Sequence, residues 1–232
     1  MAAAKKMENI GIVWLILGPI LIVLFNLLQP HVGIQPTDPQ DAGAYLGKLA
    51  ANGDSIRIYS ILILFGFVIY TGGVLRLSSI TPDGEAKIRM NAALALTVAS
   101  LALSAVFIGL TLGETDLAEK GAAAGAAGNA AGSATYMGYA GTLHAAAFGV
   151  NQAFVYVASL SVLVLGLALV PAKIVNIRLS QAIALVGLVG IVVTSIWNIN
   201  TELGVTIVGY LYLVWALLIV TVGVTIYRNQ SK

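Results

Sequence analysis

Six runs of about twenty mostly apolar residues constrain this chain more than anything else in it. A helix rising about 1.5 Å per residue needs about 20 such residues to cross a hydrocarbon core about 30 Å thick. The runs cover residues 9–28, 56–75, 90–112, 147–170, 179–199 and 205–227. None shows the strict alternation of a membrane β-strand. The chain is 59% apolar and only 9% charged, against about 25% charged in soluble domains. It therefore lacks the polar surface of a water-soluble globule. The expectation is an all-α, polytopic transmembrane bundle, one six-span domain over residues 1–232, with outer segments at 29–55 and 113–146. Lys5 and Lys6 precede the first run as in a signal peptide, but that run ends without a small-x-small cleavage site and reads as a retained span.

Lysines and arginines orient the spans. With the N-terminus inside, the inner segments hold Lys5, Lys6, Arg76, Lys87, Arg89, Lys173, Arg178, Arg228 and Lys232, against Lys48, Arg57 and Lys120 outside. The acids lean the other way, with Asp38, Asp41, Asp54, Glu114, Asp116, Glu119 and Glu202 outside. Both termini are expected in the cytoplasm of a multi-pass cell-membrane protein. The net charge of +2 gives no case for nucleic acid, and no Gly-rich phosphate loop supports a nucleotide. There is no cysteine, so disulfides and thiolate sites are excluded.

The first outer segment predicts a short amphipathic helix. Asp38 suits an N-cap, Pro39 the first helical position and Asp41 the first turn. Ala42, Tyr45, Leu46 and Leu49 repeat at helical spacing, and Asn52-Gly53 supplies a stop. The second outer segment contains "GAAAGAAGNAAGSA", with Gly121, Gly125, Gly128 and Gly132 spaced four, three and four. On a helix these form one stripe that lets another backbone approach closely. Interior glycine costs about 1 kcal/mol relative to alanine, so a loop is the competing reading. Gly18-Pro19 predicts a kink in the first span.

The spans carry no ionisable residue at mid-depth, which argues against a proton pump or voltage sensor. Polar candidates remain: Asn151, Gln152 and Asn198 could line a cavity. His31 and His144 are the only outer-face metal candidates, and neither has a ligand partner at helical spacing. No metal, cofactor or catalytic residue is therefore expected, and no nucleophile motif appears.

The stretch "LGPILIVLFN" followed by "DPQDAGAYLGKLAANGDSIRIYSILILFGFVIYTGGVLRL" resembles a prokaryotic family of uncharacterised six- to seven-helix integral membrane proteins. The resemblance implies a polytopic helical fold and transfers no activity. The expected role is an accessory or structural subunit packing in the bilayer against other membrane proteins or its own copies, as an oligomer. That rests on the glycine stripe, on Gly187 with Gly190, and on the uncharged spans. The alternative is a channel or facilitator for a small neutral or lipid-like solute. A membrane enzyme with an outer-face site stands third.

Overall fold

The computed structural model describes residues 2–33 and 36–230. These form seven helices: α1 (Ala2–Leu28), α2 (Ala42–Ala51), α3 (Gly53–Ile80), α4 (Glu85–Ala126), α5 (Ala130–Ala172), α6 (Ile177–Ile196) and α7 (Glu202–Gln230). All but α2 are long and apolar enough to cross a membrane. By helix length and hydropathy this is an all-α, multi-pass membrane protein. Lys232 lies outside the described residues, as do the side chains of Lys5 and Lys6.

The spans follow one another around a ring. α1 packs on α3, α3 on α4, α4 on α5, α5 on α6 and α6 on α7, and α7 closes the ring against α1. Short connections make sequential neighbours spatial neighbours. Gly223 of α7 abuts Ile12 and Ile16 of α1, so both termini lie at one end, the terminal end. The opposite, hairpin end carries α2 and the α4–α5 connection.

In lipid no hydrophobic drive pulls helices together, so close backbone contact and dispersion must do so. Small residues supply the contact. A Cβ on Gly18 would lie 2.6 Å from the Tyr70 nitrogen, and one on Gly73 would lie 2.7 Å from the Leu15 nitrogen. On the α5–α6 seam, a Cβ on Gly166 would strike the Ala184 backbone and one on Gly187 the Leu163 backbone. α1 runs through Pro19 as one helix. Aromatics from α3, α5 and α7 fill the centre of the ring. Phe67 meets Phe154 edge-on at 5.4 Å, Tyr70 meets Trp215 at 5.0 Å, and Tyr212 contacts both Phe154 and Trp215.

α4 and α5 have 42 and 43 residues, so each is roughly 63–65 Å long, about twice the hydrocarbon thickness. They run antiparallel in an unslipped register. Thr97 lies opposite Ser161, Glu114 opposite His144, Gly121 opposite Met137 and Gly125 opposite Ser133. Every step along α4 is matched by an equal step back along α5. Beyond the bundle the pair forms a stalk, so the Gly/Ala-rich segment is helical on both sides of a tight turn.

That turn is a Schellman motif. Asn129 N–H donates to the Ala124 carbonyl at 2.9 Å and Gly128 N–H to that of Gly125 at 3.0 Å. Gly128 takes φ +75°, a left-handed conformation that glycine adopts without a Cβ clash. Asn129 then caps α5, accepting from Gly132 N–H at 2.9 Å. The four glycines thus do not share one helix face.

α2 braces the base of the stalk: Tyr45, Leu46 and Leu49 are buried with Ala118 and Ala140. Its N-cap is Asp41, which accepts from Ala44 N–H at 3.0 Å, rather than the expected Asp38. Asp38 accepts instead from Gln40 N–H at 2.9 Å in the preceding turn, so helical geometry begins three residues later. Arg57 of α3 grips the Glu119 carboxylate with both terminal nitrogens and pins the stalk to the ring.

Candidate functional site: an uncharged cavity at the hairpin end

On the hairpin side of the aromatic cluster the ring stays open. A cavity of about 330 Å³ is walled by α1, α3, α4, α5 and α7, with Phe67, Phe154 and Tyr212 among its lining residues. The described residues of the α1–α2 connection, among them His31, Gly33, Pro36, Thr37 and Pro39, also line it. Its volume falls at the lower end of the range for ligand pockets, about 300–1,000 Å³. The walls are mainly apolar: Ile22, Ile63, Phe107, Ile108, Phe148 and Val208 contribute.

Among the described residues no aspartate, glutamate, lysine or arginine lines the cavity. His31 does, buried at 2% exposure, and burial pushes its imidazole down to about 3, so it is neutral at any physiological pH. Its Nδ1 has no hydrogen-bond partner among the described residues. The other polar lining groups are largely committed within the protein. Asn26 donates to the Ile22 carbonyl at 2.9 Å, Gln29 to Ser60 Oγ at 3.1 Å, and Thr111 to the Phe107 carbonyl at 3.1 Å. An ion entering this space would lose its hydration with no counter-charge in return.

The mouth is lateral. Leu27 of α1 and Tyr210 and Leu213 of α7 line the cavity, yet they are 46%, 67% and 39% exposed on the bundle's flank. A side chain that is exposed outside and also lines the cavity marks where the two meet. α1 and α7 touch at Gly223, near the terminal end, where a Cβ would lie 2.7 Å from Ile16. On the same helix Gly209 lines the cavity and has, among the described residues, nothing within 4 Å of its Cβ position.

The structure separates the three polar residues singled out from sequence. Asn151 lines the cavity and donates to Asn200 Oδ1 at 3.3 Å. Gln152 turns to the α5–α6 seam and donates to the Thr194 carbonyl at 2.6 Å. Asn198 falls in the α6–α7 connection, where its Oδ1 accepts from Asn200 N–H at 3.0 Å. Sequence reasoning passed over Ser104, Phe107, Val208 and Gly209; their signal is burial or emptiness, which one-dimensional spacing does not carry.

His144 stands beside the cavity wall and joins three segments. Its Nδ1 lies 2.7 Å from Glu114 Oε1 on α4, and its Nε2 lies 2.7 Å from the Pro39 carbonyl. Glu114 is 1% exposed. Tyr45 sits between the histidines, with ring centroids 5.3 Å from His31 and 4.7 Å from His144. Burial, then the Glu114 charge, holds its phenol well above the usual range, so it stays protonated. Both nitrogens of His144 are occupied by protein, leaving neither to act on a substrate. Among the described residues no group of three or more His, Cys, Asp or Glu comes together to hold a metal.

The glycines proposed for close packing meet their own chain. Gly121 faces the Met137 side chain, Gly125 the Ser133 hydroxyl at 3.2 Å, and Gly132 the Asn129 side chain, while Gly128 makes the turn. No protein-family model, curated protein or solved structure matches this chain, so the resemblance noted above identifies no family. What the residues establish is an integral membrane protein of six long apolar helices.

Proposed function

We propose that the protein takes a small, neutral, lipid-like molecule laterally from one membrane leaflet and holds it in the cavity between α1 and α7. The observation that carries this reading is the uncharged, mostly apolar chamber of about 330 Å³ whose lining residues Leu27, Tyr210 and Leu213 are also exposed on the flank. An apolar occupant gains by leaving lipid only through close packing and a few directed hydrogen bonds, which a preformed chamber supplies. With the termini cytoplasmic, as the lysine and arginine count favours, the mouth opens on the outer leaflet. Onward passage requires the Phe67–Phe154–Tyr212 cluster to part, so holding is favoured over free conduction.

The test is extraction of the intact protein in mild detergent, followed by solvent release and mass analysis. Wild type should release one neutral species in near-stoichiometric amount. Gly209→Trp, which fills the mouth, should release little of it. Equal release from both, or phospholipid alone from both, would rule the reading out.

The accessory-subunit reading retains one favourable observation. Beyond the α2 brace the stalk is largely exposed, with Tyr136 and Tyr139 at 38% and 61%, and no described residue covers it. A native mass showing a defined partner chain lost on deleting the stalk tip would establish that role. A lone monomer would end it. Gly187 and Gly190 no longer speak for a partner, because they face Leu163 and Ser159 of this chain.

A further inference from the structure

The group around His144 has a proton requirement that its geometry dictates. The Pro39 carbonyl is an acceptor, as is an ionised Glu114 Oε1, and each lies 2.7 Å from a different ring nitrogen. A neutral imidazole carries one N–H and one lone pair. With a single proton in the group, one of the two contacts would set a lone pair against a lone pair. Two protons satisfy both. Either an imidazolium faces a carboxylate, or a neutral imidazole donates from Nε2 while a protonated Glu114 donates to Nδ1. The two forms hold the same number of protons, and both donate to Pro39.

We propose that this pair is a proton-held tether fixing the Pro36–Pro39 wall of the cavity, so that loss of one proton releases the wall and lowers occupancy of the chamber. The regulation rests on the reading of the cavity as a binding chamber. Pro36, Thr37 and Pro39 line the cavity. Among the described residues, the hydrogen bond to His144 is the one that links Pro39 to α5. When a single proton remains, the buried Glu114 carboxylate holds it on Nδ1, because an unpaired buried charge costs more than a lost hydrogen bond to a carbonyl. The Nε2 lone pair then repels the Pro39 oxygen. The tether is therefore present at acid and neutral pH and lost as pH rises. Acidification does not release it, since adding a proton to Glu114 leaves Nε2–H in place.

Few other groups face this pair. Tyr45 of α2 and Phe148 of α5 pack against the imidazole, and the Tyr45 phenol stays protonated. Glu114 is the charged group in contact. The titration therefore belongs to His144 and Glu114 together.

Two properties of the chain make the test clean: it has two histidines and no cysteine. Nitrogen-15 imidazole spectra of the full-length protein in nanodiscs resolve His144 from His31 once a His31→Gln variant assigns them. A spin label at Gln40→Cys, an exposed position beside Pro39, reports the wall's mobility. Raising pH from about 6 to about 10 spans the range above the ordinary imidazole value of about 6.5. His144 should change from two donating nitrogens, or one donor with a protonated carboxyl partner, to a single proton on Nδ1. Label mobility and release of the co-extracted neutral molecule should rise over the same range.

Glu114→Gln is the discriminating variant. Its amide donates to Nδ1, so a neutral imidazole satisfies Pro39 at every pH, and the mobility change should vanish while the fold is kept. A wall that does not respond to pH in wild type, or one that responds equally in Glu114→Gln, overturns the proposal. So does an occupancy that ignores a wall shown to move. If the ring and label titrate as stated but wild type and Gly209→Trp release no neutral species, the tether stands and the binding reading falls.

Discussion

Two glycines on α7 have opposite surroundings. Gly223 lies against Ile12, Leu15 and Ile16 of α1, whereas Gly209 lines the cavity and has no described residue within 4 Å of its Cβ position. The terminal half of the ring is built like Gly223. There α1, α3 and α7 close on small residues, and Leu15, Leu77, Met90, Leu165 and Ile183 are buried in one core. The hairpin half is built like Gly209: the helices frame a space, and a connecting segment rather than a helix completes its wall. One composition thus yields both a sealed seam and a chamber, decided by what each small residue opposes.

The sharpest way to break this contrast is at the seam. Gly18→Val adds atoms where a Cβ would already lie 2.6 Å from the Tyr70 backbone. It should cost about 3 kcal/mol and lower the thermal midpoint in mild detergent by many degrees. A fully stable variant would show that the seam is looser than described. His144→Ala removes the tether and leaves Glu114 buried beside a void. It should cost roughly 2–3 kcal/mol, read in the same melt.

Gly209→Ala tests the other half. No described residue opposes its methyl group, and alanine is the better helix former by about 1 kcal/mol, so stability should hold or rise slightly. A large loss would mean that the space is not there. The smallest expected effect is Tyr212→Phe. The Tyr212 hydroxyl has no partner among the described residues, so its removal should leave the melt within about 0.5 kcal/mol of wild type. A larger loss would reveal a hydrogen bond the described residues do not supply.

Sidedness can be sharpened independently, because the chain lacks cysteine. A single thiol at Ala127 in the stalk turn should react with an impermeant maleimide on intact cells. One at Asp83, between α3 and α4, should react only after permeabilisation. The reverse pattern would place the cavity mouth in the inner leaflet.

The helices were legible because membrane burial is a linear property: about twenty apolar residues in a row are required whatever they pack against. The apolar face of α2 was legible for a similar reason, since Tyr45, Leu46 and Leu49 fall at helical spacing. Its cap was misplaced because Asp38-Pro39 and Asp41 both offer start chemistry, and only the path of the preceding turn selects Asp41. The glycine spacing from Gly121 to Gly132 suggested one stripe, but "GN" at 128–129 encodes a turn between two alanine-rich arms. Asn151 lines the cavity, whereas its neighbour Gln152 points to another seam, since adjacent helical residues face about 100° apart. The His144 group was beyond reach, because Pro39, Glu114 and His144 meet only once three segments have folded together.

Whether the chamber holds a small neutral molecule is tested most directly by comparing two phenylalanines. Phe107 lines the cavity, while Phe65 lies on the flank at 54% exposure. Each can be replaced in turn by a photoreactive phenylalanine analogue, and the protein irradiated in its native membrane and weighed intact. Position 65 should capture bulk phospholipid and position 107 a smaller neutral molecule, at a yield that falls in Gly209→Trp. Capture of the same phospholipids at both positions, or of no small molecule at position 107, would contradict it.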